Sequence, residues 1–134
     1  MIAYKKDGVR VHTLEVGKNR AIKILSRFRR FDKKKILDVG CGTNSIKKYV
    51  VDEKIIGIDV NNKNADIIGS ATNLPFKENV FEGVICNHVI EHMTVLDVKR
   101  LCSEIHRILI NNGILVLGAP YVHSPSACGQ PAEV

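Results

Sequence analysis

Three groups of residues in this chain have types and spacings that chemistry uses. The first is His88-x-x-Glu91-His92. Two imidazoles around a carboxylate spell an inverted zinc-protease signature, in which the His residues bind metal and the Glu acts as base. The second is Asp38-Val39-Gly40-Cys41-Gly42, a glycine turn that closes an apolar run. Glycines there let the backbone turn sharply and let a ligand lie close against it. The third is Asp59, nineteen residues past Gly40, at the end of another apolar run. An acid so placed can accept hydrogen bonds from both hydroxyls of a ribose, which implies a nucleoside-containing cofactor.

The zinc reading fails on context. GVIC (83–86) reads as a strand, so His88 stands where a strand ends and not on an established helix. A third ligand would have to come from Glu104, His106, His123 or Glu133. No metal is expected. The nucleoside reading is sharper. The dinucleotide fingerprint needs a third glycine where Ser45 stands, and Asp38 would repel a pyrophosphate beside the turn. The same carboxylate would attract an ammonium group. S-adenosylmethionine has a ribose, an amino group and a sulfonium and no phosphate, so the charges favour it over NAD.

The elements that position these residues follow from periodicity. Residues 17–31 have helical spacing, with Ala21, Ile24, Leu25 and Phe28 on one face. Strand-like runs are KKILDVG (34–40), KIIGIDV (54–60), DIIGSA (66–71), GVICNHVI (83–90) and ILVLGAP (114–120). Between them, SIKKYVV (45–51) suits a short helix capped by Asn44 or Ser45. Residues 95–113 form an amphipathic helix stopped by Asn112-Gly113, with Val95, Val98, Leu101, Ile105 and Ile108 on its apolar side. Strands that are continuous apolar runs, alternating with helices, predict an α/β domain. The expected architecture is a Rossmann-like open parallel sheet of order 3-2-1-4-5 with helices on both faces. One domain spans 1–134: a basic helical segment (1–34), a cofactor-binding core (35–120) and an irregular tail (121–134).

Composition narrows the class. The chain has 134 residues, 45% of them apolar, only 5% aromatic and no Trp, so the core must be Ile, Val and Leu. No apolar run is long enough for a membrane span, and the N-terminus lacks a signal-peptide stretch, so a cytoplasmic protein is expected. Cys41, Cys86, Cys102 and Cys128 form no C-x-x-C pair and read as buried free thiols of a reducing compartment. Residues 1–35 hold twelve Lys/Arg against three acids, and the remainder eight against eleven. That basic segment could touch nucleic acid, although no aromatic residues interleave as a base-stacking surface needs. The blander reading is a solvated helix face.

A resemblance now appears across residues 35–120. ILDVGCGT resembles motif I of the class I S-adenosylmethionine-dependent methyltransferases, and IIGIDV their motif II. GSATNLPF is similar to their adenine-side segment, and NVFEGVICNHVIEHM and LCSEIHRILINNGILVLGAP to the stretches that follow. The closest subfamily is methyltransferase domain type 11. The resemblance implies transfer of a methyl group from S-adenosylmethionine to a small-molecule or macromolecular acceptor, leaving S-adenosylhomocysteine. It implies that Asp38, Gly40, Cys41 and Gly42 serve the methionine part and Asp59 the ribose. Val60 would line an adenine face, and Ser70, Ala71 and Thr72 the adenine edge. Leu74, Pro75 and Phe76 would close the pocket wall. Asn87 and His88 would sit beside the methyl group, with His88 the candidate general base, weighed against a mere lining role. Glu91 and His92 would make a local structural contact.

The chain departs from this family in three places. Asn44 replaces the third glycine of motif I and would crowd the cofactor; Ser70 replaces the usual Asp that accepts from the adenine amine. No room exists for a helix after the second strand, and nothing after Pro120 reads as the last two strands of the family. A sheet so truncated would leave its fifth strand bare, a liability that invites self-association. The alternatives are a catalytically weak cofactor-binding module and a nucleic-acid-binding protein that uses the basic segment.

Overall fold

The computed structural model describes residues 2–5, 8–11, 18–31, 34–42, 44–49 and 54–118. In chain order they form β1 (Ile2–Lys5), β2 (Gly8–Val11), α1 (Lys18–Leu25), β3 (Ile36–Val39), α2 (Ser45–Tyr49), β4 (Ile55–Asp59), β5 (Ile67–Ile68), β6 (Phe81–Asn87), α3 (Val95–Ile108) and β7 (Leu109–Gly118). One turn of 3-10 helix follows α1 at Ser26–Phe28, and another, Ile90–His92, precedes α3.

The sheet has the order β2-β1-β7-β6-β3-β4-β5. Its five strands β5-β4-β3-β6-β7 are all parallel, which is the 3-2-1-4-5 core expected from the apolar runs. Side chains alternate across it. Leu37, Val39, Val84 and Cys86 face α3, whose Leu101, Ile105 and Ile108 complete one core. Ile36, Ile55, Ile85, Ile114 and Val116 face the other side, under Ala21, Ile24 and Phe28 of the α1 segment and Ile46 of α2. Phe28 lies directly on β6 at Gly83, where an added Cβ would meet the Phe28 ring at 2.3 Å.

Four differences from the sequence reading have physical reasons. First, residues 2–5 and 8–11 of the basic segment are strands, not helix. β1 pairs antiparallel with β7, Ile2 opposite Leu117 and Lys5 opposite Ile114. The fifth parallel strand is therefore not bare, and the expected self-association through its edge loses its basis, because the chain's own N-terminal hairpin covers that edge. Second, α3 ends at Ile108, with Leu109 already extended. Leu109 pairs with Phe81 and is buried, and Asn112, at φ 63°, sits in the irregular stretch where the register of β6 and β7 shifts. Third, Val95 is exposed and not on the apolar face of α3. Fourth, Cys102 is exposed, whereas Cys41 and Cys86 are buried. The short link from β4 to β5 is formed by turns with no helix, as its length requires. The tail 121–134 lies outside the described residues. Among the described residues, no helix is long and apolar enough to cross a membrane.

The contact at Gly83 yields a test. Gly83→Ala forces a methyl group into the Phe28 ring, an overpacked core that costs about 1–3 kcal/mol. Urea unfolding should show a lowered midpoint at unchanged slope, and Phe28→Leu in the same chain should recover part of the loss.

Candidate functional site

The glycine turn after β3 is held by the end of β4. The N–H groups of Gly40 and Cys41 both donate to the carbonyl of Ile58, at 2.8 and 3.1 Å. Gly42 N–H donates to Asp59 Oδ2 at 2.9 Å, and Asn61 and Asn62 N–H donate to Asp59 Oδ1 at 3.2 Å each. Partial burial raises the pKa of Asp59, but the N–H groups of Asn61, Gly42, Asn62 and Val60 outweigh it and hold the carboxyl below its ordinary value. Asp59 is thus a fixed anion at the carboxyl edge of the sheet.

Beside this turn lies an open cleft of about 370 Å³. Val39, Gly40, Ile58, Asp59 and Val60 form its floor and one lip; Gly69, Ser70, Ala71 and Thr72 form a side wall; His88, Val89, His92, Met93 and Asp97 form the other lip. Gly40 adopts φ 66°, a left-handed conformation natural to glycine, and a Cβ there would strike Val89 at 2.3 Å. Seven residues singled out from the sequence therefore share one cleft: Gly40, Asp59, Val60, Ser70, Ala71, Thr72 and His88.

Four others do not line it. Asp38 is buried in β3 behind the turn; burial, then the charge of Asp59, push its carboxyl up to about 7. Cys41 is buried too, and burial, then the charge of Asp38, push its thiol up to about 12, which makes it inert space-filling. Gly42 contributes its N–H to Asp59. Asn87, at the end of β6, keeps a buried Oδ1 with no hydrogen-bond partner among the described residues. Leu74 and Phe76, expected on the pocket wall, belong to the core, where the Phe76 and Phe81 rings meet edge to face at 4.9 Å. Pro75 does not line the cleft either.

Asn44 does not crowd the cleft. It takes a left-handed backbone, φ 63°, and its side chain turns away. Its Nδ2 donates to Asn64 O at 3.2 Å and Asp66 Oδ2 at 3.3 Å. Room for it exists because Gly57 has no side chain: a Cβ there would lie 2.3 Å from Asn44 Oδ1. Asp66 also accepts from Gly57 N–H at 2.8 Å and Lys47 Nζ at 2.8 Å.

The string His88-x-x-Glu91-His92 is divided between a strand end and a 3-10 turn, so its two imidazoles do not share a helix face. His88 has φ 56°, its N–H donates to Gly118 O at 2.9 Å, and its Nδ1 lies 3.2 Å from Glu91 Oε2. The lip residues Val89, His92, Met93 and Asp97 were not read from the sequence as site residues. One signal pointed to them. Thr94-x-x-Asp97 before an apolar run marks a helix start, and Thr94 Oγ1 does accept from Asp97 N at 3.1 Å. A helix that starts after β6 and returns along a parallel sheet must begin at its carboxyl edge, beside the cleft.

Comparison with known proteins gives a concordant result. A family model described as a methyltransferase domain matches residues 37–117. The chain is 33% identical over 100 residues to an uncharacterized protein of Methanocaldococcus jannaschii, covering 66% of this chain and 43% of that one. It is 29% identical over 100 residues to a demethylmenaquinone methyltransferase of Symbiobacterium thermophilum, covering 58% and 39%. The chain thus spans about two fifths of the length of these curated relatives. Among solved structures, S-adenosylmethionine-bound CalS10, an amino pentose methyltransferase from Micromonospora echinaspora, superimposes with a TM-score of 0.67 at 17% identity, over 85% of this chain and 61% of that one.

The raised pKa of Asp38 sets a stability test. Between pH of about 4 and 7 the folded protein retains a proton that the unfolded chain has released, so stability falls as pH rises through that window. Asp38→Asn removes the penalty. At pH 8 the variant should be more stable than the parent by about 1–3 kcal/mol in chemical denaturation, and the gap should close by about pH 4. A gap that is constant with pH would assign the effect to packing instead.

Proposed function

The chain belongs to the methyltransferase domain family, and on that premise we propose that its cleft binds S-adenosylmethionine and transfers the methyl group. The observation that carries this reading is the charge of the cleft. Asp59 and Asp97 line it, and no Lys or Arg does among the described residues. Such a donor set repels phosphate and suits a ligand with a ribose, an ammonium and a sulfonium.

Each residue has a task under this reading. Asp59 accepts from the ribose. Its carboxylate has about four acceptor positions, three of them held by backbone N–H groups, so it is oriented before the ligand arrives. Val60, 64% exposed, offers an apolar face to the base. Gly40 lets the ligand approach the backbone. Asp38 acts from behind the turn: a nearby ammonium favours its ionised form.

The bound ligand supplies a methyl group on a positive sulfur, which leaves when an acceptor atom attacks from the opposite side and the carbon–sulfur electron pair returns to sulfur. The protein's part is placement, because an in-line displacement depends on the alignment of two atoms. His88 stands at the lip with Nδ1 facing Glu91, which leaves Nε2 to take a proton from an acceptor that must lose one.

The named relatives act on acceptors as different as a quinone and an amino pentose. We therefore assign the donor half of the reaction to the shared core. Four basic residues argue against a polynucleotide acceptor held by them. Lys34, Lys35 and Lys54 immediately precede β3 and β4, and Arg30 donates to Asn112 O before the main run of β7. They stand at the amino edge of the sheet, and the cleft is at the carboxyl edge, about 13 Å away along a four-residue strand.

Calorimetric titration with S-adenosylhomocysteine should show saturable binding by the parent chain, weakened roughly 10- to 100-fold in Asp59→Ala. Equal affinity in the two proteins, or none in the parent, would refute the reading.

A further inference from the structure

One stripe of α3 carries Asp97, Arg100, Glu104 and Arg107, spaced three, four and three residues apart. This stripe lies along the segment from Ser70 to Phe76, and the contacts advance together. Arg107 donates to Phe76 O at 2.7 Å and to Leu74 O at 3.1 Å. One turn earlier, Glu104 Oε1 accepts from Leu74 N–H at 2.7 Å, and Glu104 is joined to Arg107 at 2.6 Å. Earlier again, Arg100 and Ser103 face Thr72 and Asn73 across a shallow groove. The next residue of the stripe is Asp97, which lines the cleft that Ser70, Ala71 and Thr72 also line.

Ser70 stands where the family usually has a carboxylate for the adenine amine. Its Oγ is already engaged, 2.8 Å from Thr72 Oγ1 and accepting from Thr72 N–H at 3.2 Å. Two of its three hydrogen-bonding positions are therefore used locally. Among the described residues, two carboxylates line the cleft, and Asp59 is held by the glycine turn at the opposite lip. Asp97 is held only loosely, with Oδ1 3.6 Å from Arg100 Nη1, and its side chain is 40% exposed.

We infer that Asp97 reads the base, its carboxylate accepting a hydrogen bond from the exocyclic amine of adenine and so replacing, from α3, the acid missing at Ser70. The inference rests on the cofactor reading above. A carboxylate offers acceptors only, so a purine with oxygen in place of that amine would set lone pairs against a negative charge. The Glu104–Arg107 pair serves the same end by fixing the wall against the helix that carries Asp97.

Titration with S-adenosylhomocysteine and with S-inosylhomocysteine, its 6-oxo counterpart, separates the possibilities. The parent should prefer the adenine form by roughly tenfold or more. In Asp97→Asn, whose amide can donate to the 6-oxo group, the preference should shrink severalfold, with the thermal midpoint unchanged. Adding Ser70→Asp to that variant should restore it. A parent that binds S-adenosylhomocysteine while Asp97→Asn keeps the full preference overturns this inference alone. A parent that binds neither ligand overturns it together with the cofactor reading.

Discussion

The hydrogen bond from Gly42 N–H to Asp59 Oδ2, 2.9 Å long, is the constraint on which the site depends. It ties the turn after β3 to the end of β4, so two loops from neighbouring parallel strands become one rigid lip. Without it Asp59 would lose one of the donors that keep it ionised, and the turn would be held to β4 only through the Gly40 and Cys41 N–H groups on the Ile58 carbonyl. Parallel pairing alone sets the height of the strand ends but not the direction of the loops. The side chain of Asp59 supplies that direction, through N–H groups from both turns.

A second, similar node lies next to it. Asp66 gathers Gly57 N–H, Asn44 Nδ2 and Lys47 Nζ. Burial raises its pKa, and those donors, Gly57 first, outweigh burial and lower it. The node explains why Asn44 is tolerated where a glycine was expected. Its left-handed backbone carries a moderate cost, but its amide finds two acceptors and a vacant space above Gly57. The substitution was legible as a departure, whereas the place of its side chain was not, because Asp66 and Gly57 are distant from it in sequence and carry no local signal of the contact; its Oδ1 has no hydrogen-bond partner among the described residues.

The parallel core was legible because each strand is a short apolar run that ends in a marked turn, and the order followed from the alternation with helices. The N-terminal hairpin was hidden for the opposite reason. Residues 2–11 are basic, and the helical spacing of residues 17–31 coloured the whole segment. Asp7-Gly8 beside Val9-Arg10-Val11 was the available hairpin signal. The end of α3 was misplaced because Asn112-Gly113 looks like a helix stop. Packing of Leu109 beside Phe81 decided the boundary five residues earlier. Pocket walls were the least legible. Leu74 and Phe76 are apolar in either role, and only the three-dimensional course of the chain gives them to the core.

The molecule has two poles, and they constrain its chemistry together. Carboxylates gather at the carboxyl edge of the sheet, where Asp59 and Asp97 line a cleft that holds no Lys or Arg among the described residues, and Asp38 lies buried behind it. Lys34, Lys35, Lys54 and Arg30 stand at the amino edge. Parallel strands fix this separation, since every strand of the core presents the same end to the same side. A ligand drawn by one pole is repelled by the other, so one anionic molecule cannot use both unless it reaches across the full sheet. The acidic cleft and the basic group are therefore separate features of the chain.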